Sequence, residues 1–108
     1  MLKLSSAAVE LIKKQQGLSL EKYRDEHGTE VIGYGHVIQQ WEKFHGLITV
    51  AEAERLLDND IQIYEMLIQE NITQPLTQHQ HDALVLLMFS FSHTPCPINA
   101  IAQAVSRV

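Results

Sequence analysis

Acidic and imidazole side chains crowd one short stretch of this sequence: Glu21, Asp25, Glu26, His27 and Glu30. Carboxyl groups in unlike surroundings can divide general acid and general base work, because their sites push their pKa values apart. On a solvent-facing hairpin the same residues would do no chemistry, and Glu21, Glu26, His27 and Glu30 suit the solvated face of a small sheet. His36 has the chemistry of a base, but such a residue is more often the structural partner of an acid. His79-x-His81, with His93 and Cys96, has the residue types of a zinc site. On a helix, positions i and i+2 point to different faces, which is wrong for shared ligation. Solvent-exposed residues at a helix start are expected there instead, with no metal and no other cofactor. Cys96 is the single cysteine, so no intrachain disulfide is possible and a small buried or half-buried thiol is expected.

These side chains need elements to position them. Ser6 to Gln16 reads as a helix, with Ser6 as its cap and Val9, Ile12 and Lys13 at helical spacing. Gly17 is a plausible stop. From Leu18 to Val37 the texture changes. Tyr23, Val31, Ile32 and Tyr34 are strand formers, Asp25 to Gly28 is a turn, and Gly33 and Gly35 flank Tyr34. This predicts a small antiparallel hairpin or three-stranded sheet. Ile38 to Ile48 follows as a loop or short irregular helix, anchored by Trp41 and Phe44. Thr49-Val50-Ala51-Glu52 is a capping box that opens a helix to about Gln69. Ala53, Leu56, Leu57, Ile61, Tyr64, Leu67 and Ile68 line one face of that helix. Pro75 breaks the pattern. Thr77 to Gln80 is a second capping box, opening a helix through Phe91 that is apolar on nearly every side. Pro97 sits well at the start of a last helix, with Ile98, Ile101, Ala102 and Val105 on one stripe. The expected fold class is α+β, mainly helical.

With 108 residues, one domain is expected, residues 1–46 forming a helix and a small sheet lobe and residues 47–108 a helical lobe. A net charge of −5 argues against nucleic acid, because phosphate binding needs clustered Lys and Arg. No apolar run approaches a membrane span. The first residues lack the apolar core of a secretory signal, so the chain is expected in the cytoplasm unless another system exports it.

At Gln16-Gly17-Leu18 and Ile32-Gly33-Tyr34-Gly35-His36 the sequence resembles the phage-type lysozymes, the glycoside hydrolase family 24 muramidases. Thr49 to Asp60 and the stretch Pro75-Leu76-Thr77-Gln78-His79-Gln80-His81-Asp82-Ala83-Leu84-Val85 follow in the family's order. The resemblance spans essentially the whole chain and implies a lysozyme-like fold. It implies that the family's proton-donating Glu falls on Gln16, its catalytic Asp on Asp25 and its Thr on Val31. It also pairs His36 with Asp60. Tyr34, Gly35 and Ser90 fall at the cleft, and family members continue past this chain's last residue.

Most glycoside hydrolases flank the scissile bond with two carboxyl groups, one of which must hold a proton to give. An amide has none, so Gln16 cannot serve, and Val31 lacks the hydroxyl that would help to hold water. Asp25 alone is half of a pair. The expected role is therefore non-enzymatic: a scaffold, binding or assembly subunit of a phage tail, secretion apparatus or regulatory complex. The alternative is a weak or narrow muramidase with an acid relocated to Glu21, Glu26, His27 or Glu30. A peptidoglycan glycan is a possible ligand, although the negative charge sits poorly with tight adhesion to an anionic wall. A protein partner or a homo-oligomer is expected at Leu86, Leu87, Phe91, Ile98, Ile101 and Val105, because a contiguous apolar patch usually marks an interface.

Overall fold

The computed structural model describes residues 2–91. In chain order these form α1 (Ser6–Gln16), β1 (Ser19–Arg24), β2 (Glu30–Gly33), β3 (His36–Val37), α2 (Val50–Asn71) and α3 (Gln78–Ser90). Helices dominate, and the strands make one antiparallel sheet in the order β1-β2-β3. The fold is α+β and mainly helical, as the sequence predicts. No described helix is long and apolar enough to cross a membrane. His93, Cys96 and the expected last helix with Ile98, Ile101 and Val105 lie outside the described residues. The chain divides into two compact units, one of Glu10–Asp60 and one joining the first residues, through Val9, to the chain from Ile61 onwards. The division falls inside α1 and α2.

In the first unit, Tyr23 pairs with Val31, Arg24 with Glu30, Val31 with Val37 and Ile32 with His36. Paired residues share a face and successive residues alternate. Glu30, Ile32 and His36 therefore lie on one face of the sheet, and Tyr23, Val31 and Val37 on the other. Ile32 is fully buried and packs with Ile48 and Ala53, flanked by Leu20, Ile38, Phe44 and Leu56. Phe44 thus anchors its loop as expected, but Trp41 does not, being 79% exposed. Polar bonds fix that turn instead: Glu42 N donates to Gln39 O at 3.0 Å, and Gln39 N donates to Glu42 Oε1 at 2.8 Å. At the start of α2, Glu52 N donates to Thr49 Oγ1 at 3.1 Å.

The second unit holds the start of α1, the later part of α2, and α3. Ser5, not Ser6, caps α1: its Oγ accepts from Ala8 N at 3.2 Å while its hydroxyl donates to Asp82 Oδ2 at 2.6 Å. Helix α2 reaches Asn71, whose side-chain amide donates back to Leu67 O at 2.8 Å. Thr77 caps α3 by the expected box, with Gln80 N donating to Thr77 Oγ1 at 3.2 Å and Thr77 N to Gln80 Oε1 at 2.9 Å. Thr77→Ala should lower the unfolding free energy by about 1 kcal/mol, and Thr77→Ser should keep most of it. Thermal melts of the two variants check this. The rings of Tyr64 and Phe89 meet edge to face at 4.8 Å. Helix α3 is less enclosed than its composition predicts: Leu84, Val85, Met88 and Phe89 are buried, whereas Leu87 is 41% exposed. His79 is exposed, as expected for a helix start, but His81 is buried.

Candidate functional site

Asp25 opens the β1–β2 turn, and its carboxylate holds that turn together. Oδ1 accepts from His27 N at 2.9 Å and from Thr29 N at 3.0 Å. The backbone closes the same turn, Asp25 N donating to Thr29 O and Gly28 N to Asp25 O, both at 3.0 Å. An Asp side chain that bonds backbone two residues on mimics a turn, and Gly28 at φ +77° supplies the left-handed step. Asp25 is therefore a structural carboxylate whatever else it does. Glu21, Glu26 and His27 are exposed and Glu30 half-buried, which matches the solvated hairpin read from the sequence.

Gln16 ends α1, and its side chain lies against the β2–β3 turn. A methyl group at Gly35 would collide with the Gln16 amide oxygen and stand 3.0 Å from its Cδ. Gly35, at φ +73°, is the residue that allows both the turn and this contact. The neighbouring Tyr34 is half-buried under Lys13, whose Nζ lies 5.5 Å from the ring centroid. Lys13 also bonds Glu54 at 3.2 Å, which raises its pKa above the ordinary lysine value. Gln16, Tyr34 and Gly35 are thus brought together. Val31 is 5% exposed, so this position contributes packing. Ser90 belongs to the other unit, where its hydroxyl donates to Leu86 O at 3.4 Å. Of the expected interface residues, Leu86 and Phe91 are half-buried and Leu87 is exposed.

His36 is the most heavily bonded ionisable side chain of the first unit. Its Nδ1 lies 2.9 Å from Asp60 Oδ2, and its Nε2 lies 2.9 Å from Glu42 Oε1. Two carboxylates on opposite ring nitrogens require both nitrogens to donate, which is the imidazolium form. Burial works against that charge, but the hydrogen bonds and charges of Asp60 and Glu42 outweigh it and raise the pKa to about 8. The pairing with Asp60 was legible in the resemblance. Glu42 was not, since nothing in the sequence distinguishes it from other loop acids. A second group that sequence reasoning passed over is Glu65, 3% exposed on α2, whose Oε2 accepts from Leu4 N at 2.7 Å.

Gln16, at the end of α1, carries an amide, and the Asp25 carboxylate is bonded to its own turn. Comparisons with known proteins give this geometry its context. The family model described as phage lysozyme matches residues 13–94. The endolysin of Acyrthosiphon pisum secondary endosymbiont phage 1 is 35% identical over 91 residues, covering 84% of this chain and 61% of that protein. The endolysin of Salmonella phage P22 is 33% identical over 93 residues, covering 83% of this chain and 64% of its own. The chain thus spans less than two thirds of either relative. Among solved structures, the muramidase domain of SpmX from Asticaccaulis excentricus superposes with a TM-score of 0.72 at 33% identity, covering 95% of this chain and 65% of that one.

Proposed function

The chain belongs to the phage lysozyme family, and from that premise we propose that it binds cell-wall material or an assembly partner without cutting murein. The observation that carries this reading is Gln16. It stands where the family's proton-donating Glu falls, and its amide carries no proton that titrates near neutral pH. General acid catalysis supplies about 10²- to 10⁴-fold, so a sugar leaving group without it departs slowly. No replacement is evident in the first unit: Lys13 is paired to Glu54, His36 lies between Asp60 and Glu42, and the hairpin acids are solvated. Partner binding is proposed at α3, where Leu87 leaves apolar surface in water.

Purified murein tests the reading. The protein should sediment with the insoluble wall, and turbidity should stay constant from acid to neutral pH. Clearance by the wild-type protein, lost on changing Glu21, Glu26, His27 or Glu30, would establish a relocated acid and end the proposal. Gln16→Glu alone should restore little. Gln16→Glu combined with Val31→Thr is the stronger rescue, because it returns the hydroxyl as well as the carboxyl.

A further inference from the structure

A pocket of about 180 Å³ lies in the second unit, where the first residues meet the end of α2, the loop after it and α3. Leu2, Ile68, Ile72 and Leu76 give it apolar walls, and Glu65 and His81 bring polar atoms to it. Both polar groups belong to the interior, Glu65 being 3% exposed and His81 4%. Each lacks a partner that burial demands. Glu65 Oε2 accepts from Leu4 N at 2.7 Å, but the carboxylate has no cationic partner among the described residues. A buried carboxylate is costly unless an opposite charge answers it. A carboxylate has room for about four hydrogen bonds, so one backbone N–H leaves it open to more. His81 Nδ1 is buried and has no hydrogen-bond partner among the described residues. An unsatisfied polar atom of this kind is rare in a folded interior.

No Lys or Arg lines the pocket, so the charge that would answer Glu65 has to come from outside the lining. A metal ion is poorly served here. One carboxylate and one imidazole fall short of the three protein ligands that even an open zinc site uses. No group of three ligating side chains occurs among the described residues. An organic ammonium suits the site better, because its three N–H donors can meet both Glu65 and an accepting His81 Nδ1. The apolar walls ask for a hydrocarbon tail, and the volume limits its size. An apolar cavity of about 150 Å³ holds benzene, so a tail of about five carbons is accommodated.

We propose that this pocket binds a compact hydrophobic primary amine. Its ammonium group is held between the Glu65 carboxylate and His81 Nδ1, and its tail lies against Ile68, Ile72 and Leu76. The site is independent of wall binding, since it uses no residue of the sheet or of the Gln16 and Asp25 region. Isopentylamine is the probe, added to the full chain while long-range proton–nitrogen NMR spectra follow the His81 ring. The Nδ1 resonance should move saturably with the amine. Isopentanol, which has the same tail and a neutral head, should bind about tenfold more weakly. Glu65→Gln keeps an oxygen for Leu4 N but removes the charge, so it should weaken the amine by about tenfold and abolish its advantage over the alcohol. Thermal melts check that this variant is folded; if it is not, the comparison of amine and alcohol on the wild-type chain decides alone. Equal binding of amine and alcohol, wild-type affinity for the amine in folded Glu65→Gln, or no response of His81 to the amine would overturn the proposal. A His81 ring that responds to zinc and not to the amine would overturn it in favour of a metal.

Discussion

Replacing His36 with alanine should lower the unfolding free energy by about 3 kcal/mol at pH 6, because it leaves two largely enclosed carboxylates facing an unfilled space. The side chains of Asp60 and Glu42 are 18% and 19% exposed, so water screens them only in part. The effect should depend on pH, and its sign follows from the raised pKa. His36 titrates at about 8 in the folded chain against 6.5 for the ordinary side chain. Its contribution is fully present below pH 6.5 and is lost as pH rises through 8. That difference corresponds to about 2 kcal/mol. Wild-type stability should therefore fall between pH 6 and pH 9, and the gap between wild type and His36→Ala should narrow to about 1 kcal/mol. Urea unfolding at the two pH values measures both quantities. A wild-type protein equally stable at each, or a variant as stable as wild type at pH 6, would refute the account.

Gly35→Ala should be comparably damaging, at about 2–3 kcal/mol. A non-glycine residue at φ +73° is strained by about 1–2 kcal/mol. The added methyl must also displace the Gln16 amide, the far end of a flexible half-buried side chain, which costs about 1 kcal/mol, the low end for overpacking. Only the second part can be relieved from outside. In a Gln16→Ala background the penalty should fall by about 1 kcal/mol, a coupling within the range for residues in contact. Additive behaviour of the two substitutions would mean that Gln16 turns away from Gly35 in solution.

Much of the fold was legible because its signals are local. The Thr77 box, the strand formers of β1 and β2 and the Asp25 turn each involve residues a few positions apart, and each formed as read. Misreadings occurred where contacts, rather than residue type, decided the outcome. Ser5 takes the cap from Ser6 because Asp82, 77 positions away, holds its hydroxyl. Trp41 looked like an anchor because it is large and apolar, yet polar bonds from Glu42 and Gln39 fix its turn and leave the ring in water. His81 follows a cap and three exposed residues, which suggests solvent, but its position on α3 is buried. For the site, the family pattern located Gln16, Asp25 and His36, since motif order is a property of sequence. Glu42 needed coordinates, because a lone loop acid acquires meaning only from what stands across from it.

The way the first residues are tied has a bearing on the order in which the chain can assemble as it is made. Leu4 N bonds Glu65, Ser5 bonds Asp82, and Lys3 O accepts from the Gln78 side chain. These partners are synthesised long after the residues they hold. At roughly 5–20 residues per second, several seconds separate the two ends of each bond. The unit of Glu10–Asp60 is contiguous, so all its partners are present once Asp60 has left the ribosome. The other unit must wait for α3, and until then the opening residues have only Glu65 of these partners to bind. A nascent chain is therefore expected to finish the sheet first and to tie Lys3, Leu4 and Ser5 fully only after α3 has emerged.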